Sequence, residues 1–160
     1  MRRFLVLLTL AAVIFGCNKA GQSDTEVDKL SEARAKWETA GTSAYIFNAQ
    51  RFCECLQVLT NRVQIAVAND SILSITSVAD QSRLPDSLYA YFATVDDWFD
   101  WIATSLERDP YIGSVTYDPD LGYPRQINFD FNRQIADDEL SATLDSLVLL
   151  VTLYHVTLYQ

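Results

Sequence analysis

Between Arg62 and Ala68 the chain alternates without a break: Val63, Ile65 and Val67 are apolar, and Arg62, Gln64 and Ala66 fill the positions between them. Successive strand side chains point to opposite faces, so a period of two describes a half-buried strand. Asn69-Asp70 follows as a turn, and Ser71–Val78 returns as a further strand, hairpin-paired with it. A strand also opens at Tyr45-Ile46-Phe47 and runs to about Phe52. Later strands are expected over Tyr111–Tyr117 and Arg125–Phe131, with Ile127, Phe129 and Phe131 on one face. The segments 118–124 and 132–138 are turns, and 80–93, which holds Pro85, is a connection.

Two stretches carry the helical period instead. Ser23 with Glu26, or Thr25 with Asp28, can cap a first helix whose spaced residues are Val27, Leu30, Arg34 and Trp37, with Gly41 at its end. Its apolar stripe is narrow, which makes Trp37 its main anchor. Thr94 caps a second helix from about Val95 to Arg108, with Asp96 and Asp97 at its positive end. Val95, Trp98, Phe99, Ile102 and Leu106 form one broad stripe along it. Residues 140–147 fit helix or strand, and the β-rich stretch Val148–Tyr159 tilts the choice to strand. The expected class is therefore α+β, in the order α-β-β-β-α-β-β-β, with two helices on one face of an antiparallel sheet.

The first residues have a different purpose. Arg2 and Arg3 precede an apolar run from Phe4 to Phe15. A run of that length is too short to span a bilayer and matches the apolar region of a secretory signal. It ends in Ile14-Phe15-Gly16-Cys17, which resembles the bacterial lipobox. That resemblance implies cleavage before Cys17 and acylation of its thiol and new amine. The chain then divides into a signal peptide at 1–16, a lipidated polar tether at 17–25 and a single α+β domain at 26–160. Asn18 is not the aspartate that often retains lipoproteins at an inner membrane, which favours the periplasmic face of an outer membrane where there is one.

Losing Arg2 and Arg3 takes the formal net charge from −9 to −11. So acidic a domain has no electrostatic footprint for nucleic acid, and anionic headgroups repel it, so lipid chains must hold it at the membrane. Each buried CH₂ contributes about 0.8 kcal/mol, and two or three acyl chains make a lasting anchor.

Candidate chemistry is sparse. On a strand, Cys53-Glu54-Cys55 would place its two thiols on the same face as neighbours. With Cys17 acylated they remain as an even pair outside the cytoplasm, where thiols oxidise. A structural disulfide is the favoured reading; a redox switch and half of a soft-metal site are the others, since so tight a ring strains the bond and strained disulfides are easily reduced. The carboxylates Asp118, Asp120, Asp130, Asp137, Asp138 and Glu139 offer hard oxygens for Ca²⁺, but their spacing fails the EF-hand pattern and acidic turns are usually solvated. Trp98 and Trp101 are not expected to face the same way, which leaves one as a candidate interface anchor. No nucleophile elbow, phosphate loop or dinucleotide fingerprint occurs, and His155 is the single histidine. No catalytic residue, cofactor or metal is assigned.

Taken together, Trp37, Tyr45, Cys53-Glu54-Cys55, the Val63–Ile72 hairpin, the Thr94–Ile102 helix, Tyr117-Asp118, Gly122-Tyr123-Pro124, Asp130 and Asp137-Asp138-Glu139 give a pattern over about residues 37–147. It resembles the bacterial family called domain of unknown function sixty-one seventy-four. Asn69-Asp70 departs from that family's glycine turn. The resemblance implies a secreted or lipid-anchored protein and supplies no activity. The functional expectation is a non-enzymatic binding module, its candidate contacts Trp98, Trp101, Tyr123 and the acidic turns, its partners membrane lipid through Cys17 and an envelope protein or wall component. The alternative is a metal or redox sensor built on Cys53/Cys55 or the acidic turns, and a carboxylate hydrolase ranks last.

Overall fold

A computed structural model describes residues 20–41, 43–135 and 137–150. Cys17, His155 and the expected strand beyond 150 lie outside these described residues. The elements are α1 (Ala20–Ala40), β1 (Ala44–Phe52), a short α2 (Gln57–Thr60), β2 (Val63–Ala68), β3 (Ser71–Ser77), a 3₁₀ turn (Asp86–Tyr91), α3 (Val95–Glu107), β4 (Ile112–Tyr117), β5 (Pro124–Asp130) and β6 (Leu140–Leu149). All six strands join one antiparallel sheet in the order β3-β2-β1-β6-β5-β4. Two three-stranded meanders thus meet where β1 pairs with β6. The chain crosses from one sheet edge to the other between β3 and β4, and α3 lies on that crossing over the core face.

The α+β class and the order of the main elements follow the expectation, and the uncertain segment 140–149 is strand. Residues 57–60 form a helical turn with no sequence signal strong enough to announce it. Asn69 and Asp70 both adopt positive φ, at 49° and 57°, as a two-residue hairpin turn whose twist matches the strands requires. Helix α3 begins at Thr94 with a reciprocal capping box, in which the Thr94 side chain accepts from Asp97 N–H and the Asp97 carboxylate accepts from Thr94 N–H.

Helix α1 differs from its expectation at both ends of the argument. It is described from Ala20 onward, so Ser23 and Thr25 lie within the helix and not at its N-cap position. Its buried positions are Glu26, Leu30, Ala33 and Trp37, while Val27 is 47% exposed and Arg34 is half-buried. The displaced stripe has a cause in tertiary structure. Glu26 turns inward because its Oε2 accepts from Val115 N–H on edge strand β4, while Oε1 pairs with Lys29 at 2.7 Å. Ala33 turns inward because the β4–β5 turn packs on its backbone: a Cβ built on Gly122 would fall 2.2 Å from the Ala33 carbonyl oxygen. Gly41 closes the helix at φ +59°.

The core lies between the helices and one sheet face. Phe47, Ile75, Val95, Phe99, Ile102 and Ile127 are fully buried there. Tyr45 links the layers: its hydroxyl accepts from Val95 N–H at 3.1 Å, and its ring meets Trp37 edge-on at 5.1 Å. Both sheet edges are guarded. Glu26 covers β4, and the residues after β3 fold back so that Leu84 N–H donates to Ile75 and Arg83 bridges Thr76. No described helix is long and apolar enough to cross a membrane.

Tyr117 is the weak point of this core. Its hydroxyl is buried and has no hydrogen-bond partner. Burial, and then the charge of Glu26, push its pKa well above the usual tyrosine value. In the unfolded chain tyrosine ionises near pH ~10. Folded Tyr117 keeps its proton longer, so its contribution to stability is intact below that pH and falls as pH climbs through the raised folded value. Tyr117→Phe is expected to gain about 1 kcal/mol at neutral pH, because an unpaired buried hydroxyl is removed. It should also move the alkaline unfolding midpoint upward; urea titrations at neutral and high pH measure both effects.

Candidate functional site

The helices cover one face of the sheet, and among the described residues no helix packs on the other. Strand register places the side chains of that open face in rows. One row runs Gln64, Asn48, Asp145 across β2, β1 and β6. The next runs Gln50, Thr143, Gln126, Thr116 across β1, β6, β5 and β4. A third runs Phe52, Ser141, Asn128, Ser114. The face is thus a carpet of amides and hydroxyls, with Phe52 at its end and Ile46 and Val148 paired near the other.

A depression of about 460 Å³ lies on this face, lined by the polar Arg62, Thr116, Arg125, Gln126, Thr143 and Asp145 together with Tyr117 and Leu144. Its polar centre is an ion pair. Arg62 Nη2 donates to both carboxylate oxygens of Asp145, at 2.6 and 2.8 Å. Burial raises the Asp145 pKa, but hydrogen bonds from Ser146 and Arg62, together with the Arg62 charge, outweigh it and hold the carboxyl below the usual range. The pair is neutral as a unit at physiological pH. Its stabilisation is intact above the unfolded aspartate value and lost as pH falls through the depressed folded one. Beside it, Asn48 Oδ1 is buried without a partner, an unfilled acceptor next to the depression. A bulge in β6 at Ser146, φ +54°, shifts the register between Asn48 and Ile46, so Asp145 faces Asn48 and Val148 faces Ile46.

The residues singled out from sequence lie elsewhere. Trp98 is 3% exposed and belongs to the core. Trp101 is half-buried and meets Trp98 edge-on at 5.7 Å and Phe129 at 5.1 Å. The two indoles therefore do face the same way, because residues three apart on a helix are neighbours. Tyr123 is buried, and α1 packs over its turn. Asp118 makes that turn, its Oδ1 accepting from Asp120 and Leu121 N–H; Asp130 does the same for Asn132 N–H. Asp120, Asp137 and Glu139 are exposed, while Asp138 Oδ1 is buried and unpaired. The acidic turns cannot meet, because 118–123 and 132–139 sit at opposite ends of β5, a seven-residue strand that spans roughly 20 Å. Among the described residues no three His, Cys, Asp or Glu side chains converge as metal ligands.

The Cys53–Cys55 disulfide forms just past β1, with Cα atoms 5.4 Å apart. Cys55 is exposed and Cys53 half-buried. Upstream, the Arg51 guanidinium lies over the Trp98 ring, 5.0 Å from its centre.

Sequence reasoning missed the open-face residues because Gln64, Thr143 and Gln126 look like ordinary solvent positions on half-buried strands. The single signal was the one-sided alternation, which leaves each strand with a second face to account for. No curated protein and no solved structure matches the chain. The profile described as Family of unknown function (DUF6174) matches residues 29–149, which span α1 from its third turn through β6, and the chain belongs to that family.

Proposed function

We propose that this protein is a lipid-anchored envelope module that binds without catalysis, and that its ligand rests on the open face of the sheet. One observation carries the reading: a six-stranded sheet with one face uncovered by any described helix and surfaced with aligned amides and hydroxyls around a depression. Protein-binding surfaces concentrate aromatic residues at their centres. The strand rows of this face carry no aromatic residue short of Phe52 at one end, Tyr117 reaching the depression with a ring stacked on Phe99 in the core, and the carboxylate is already engaged by Arg62. Such a surface suits a neutral ligand rich in hydroxyl and amide groups, which is the chemistry of a wall glycan. The anchor is Cys17, through a diacylglyceryl thioether and an acylated amine, and the acidic body stands off the headgroups.

Cosedimentation of the purified, unlipidated chain with isolated cell-wall glycan tests the ligand. Each lost hydrogen bond of about 1 kcal/mol weakens binding roughly fivefold. Thr143→Val with Gln126→Leu is therefore expected to weaken it at least tenfold, with thermal stability nearly unchanged. Failure of the wild type to sediment, or undiminished binding by the double variant, would overturn the glycan reading. Labelled palmitate tests the anchor independently: the wild type should take it up, and Cys17→Ser should appear in the soluble fraction.

A further inference from the structure

We infer that Cys53–Cys55 is a thiol–disulfide exchange site whose substrate is a dithiol, or in reverse a disulfide, carried by a protein that docks on Phe52 and Leu56. The inference does not rest on the glycan reading, although Phe52 also ends one row of the open sheet face.

The bond is poorly placed to be structural. A disulfide stabilises chiefly by shortening the free loops of the unfolded chain, and the gain grows with loop length. Here the cysteines are two residues apart, so the loop is nearly the shortest a disulfide can close. The bond also joins no two elements. Both cysteines lie in the segment between β1 and α2, and the chain is anchored on either side without them. Upstream, Arg51 rests on Trp98. Downstream, Val58 packs against the core, and Leu59 N–H donates to Leu56 at 2.8 Å. Cutting the disulfide leaves both anchors in place.

The surroundings suit exchange instead. Attack on a disulfide needs access to a sulfur along the bond axis, and accessible disulfides are the labile ones. Glu54, Cys55 and Leu56 are all exposed. The flanking side chains are the apolar Phe52, 51% exposed, and Leu56, 69% exposed. Two large apolar groups bracketing a reactive bond give a partner protein a surface to cover while its thiol attacks. Close spacing also favours turnover. In the reverse direction, once a partner disulfide has formed a mixed disulfide with one cysteine, the second thiol sits two residues away at high effective concentration and expels the partner quickly.

The chemistry balances with the partner named by class. A thiolate of the partner dithiol attacks Sγ of Cys55, the more exposed residue of the pair. The Cys53–Cys55 bond breaks, and its electron pair leaves on Cys53 Sγ, which takes a proton from water. The partner's second thiolate then attacks its own sulfur in the mixed disulfide and expels Cys55 as thiolate, which is protonated in turn. The partner has lost two electrons and two protons and gained a disulfide; this chain has gained both as two thiols. In the reverse direction a partner disulfide regenerates the bond.

The test uses the purified folded chain lacking its lipid, with dithiothreitol, the glutathione couple and reduced thioredoxin as probes. Alkylation followed by intact mass counts free thiols. Both thiols are expected to be released while the native fold is kept, and oxidised glutathione should close the bond again. Cys53→Ser should accumulate a glutathione adduct on Cys55 that the wild type sheds. Phe52→Ser with Leu56→Ser should slow reduction by thioredoxin roughly tenfold and leave reduction by dithiothreitol unchanged. Release of the thiols only on unfolding would overturn the exchange site. Equal slowing with both reductants, or none with thioredoxin, would overturn the docking role of Phe52 and Leu56.

Discussion

Gly122→Ala unfolds at a temperature roughly 10–15 °C below the wild type, a loss of about 3–4 kcal/mol. Two effects add. Gly122 sits at φ +80°, where an L side chain strains the backbone by about 1–2 kcal/mol. The new Cβ would also lie 2.2 Å from the Ala33 carbonyl oxygen and 2.9 Å from Lys36 Cβ. The first of these is backbone and cannot swing aside, so α1 must lift from the β4–β5 turn, at the roughly 1–3 kcal/mol typical of overpacking. Gly41→Ala separates the two effects. Gly41 has a similar positive φ, but its Cβ would meet nothing closer than 3.9 Å. It should lose only the conformational part, about 1 kcal/mol. Thermal melts of the two variants check this, and equal losses would show that the α1 contact contributes nothing.

The same contact explains what could and could not be read in the residues alone. The β2–β3 hairpin was legible because alternation, turn residues and register all agree locally. Helix α3 was legible because Thr94, Asp97 and a broad apolar stripe lie within one helix. Helix α1 was misread by one position on its stripe because its buried side includes a glutamate and an alanine. A glutamate argues against burial, and one alanine among Ala33, Ala35 and Ala40 is too small to mark a stripe; Glu26 is inside for Val115 N–H and Ala33 for Gly122, both partners distant in sequence. Strand order was equally out of reach, since the pairing of β1 with β6 joins residues about a hundred positions apart. Of the site residues, the cysteine pair was visible as spacing. The open face was not, because it is made by register, which sets side by side polar residues that are unremarkable one at a time. The acidic turns drew attention through composition, yet Asp118 and Asp130 brace their own loops and Asp120, Asp137 and Glu139 are exposed.

Phe129→Ala is expected to cost about 3–5 kcal/mol, the range for deleting a buried aromatic ring from a core. Set against a typical domain stability of 5–15 kcal/mol, that leaves a marginal protein. Phe129 is 2% exposed and sits at the middle of a run of rings. Trp101 meets it edge-on at 5.1 Å and Phe131 stacks on it at 5.9 Å. The run continues from Trp101 to Trp98, and guanidinium groups close both ends, Arg51 over Trp98 and Arg108 over Phe131 at 3.8 Å. Removing the central ring forfeits the buried area and two aromatic contacts at once, and it opens a cavity above Gly113, which has no side chain to fill it. Phe131→Ala is the comparison: it lies at the half-exposed end of the run and should cost less than half as much. Urea unfolding gives the energies, and near-ultraviolet circular dichroism reports the loss of fixed orientation at Trp101. A cost at Phe129 no greater than at Phe131 would mean that the rings stabilise the fold as separate surface contacts and that the sheet and α3 do not depend on their continuity.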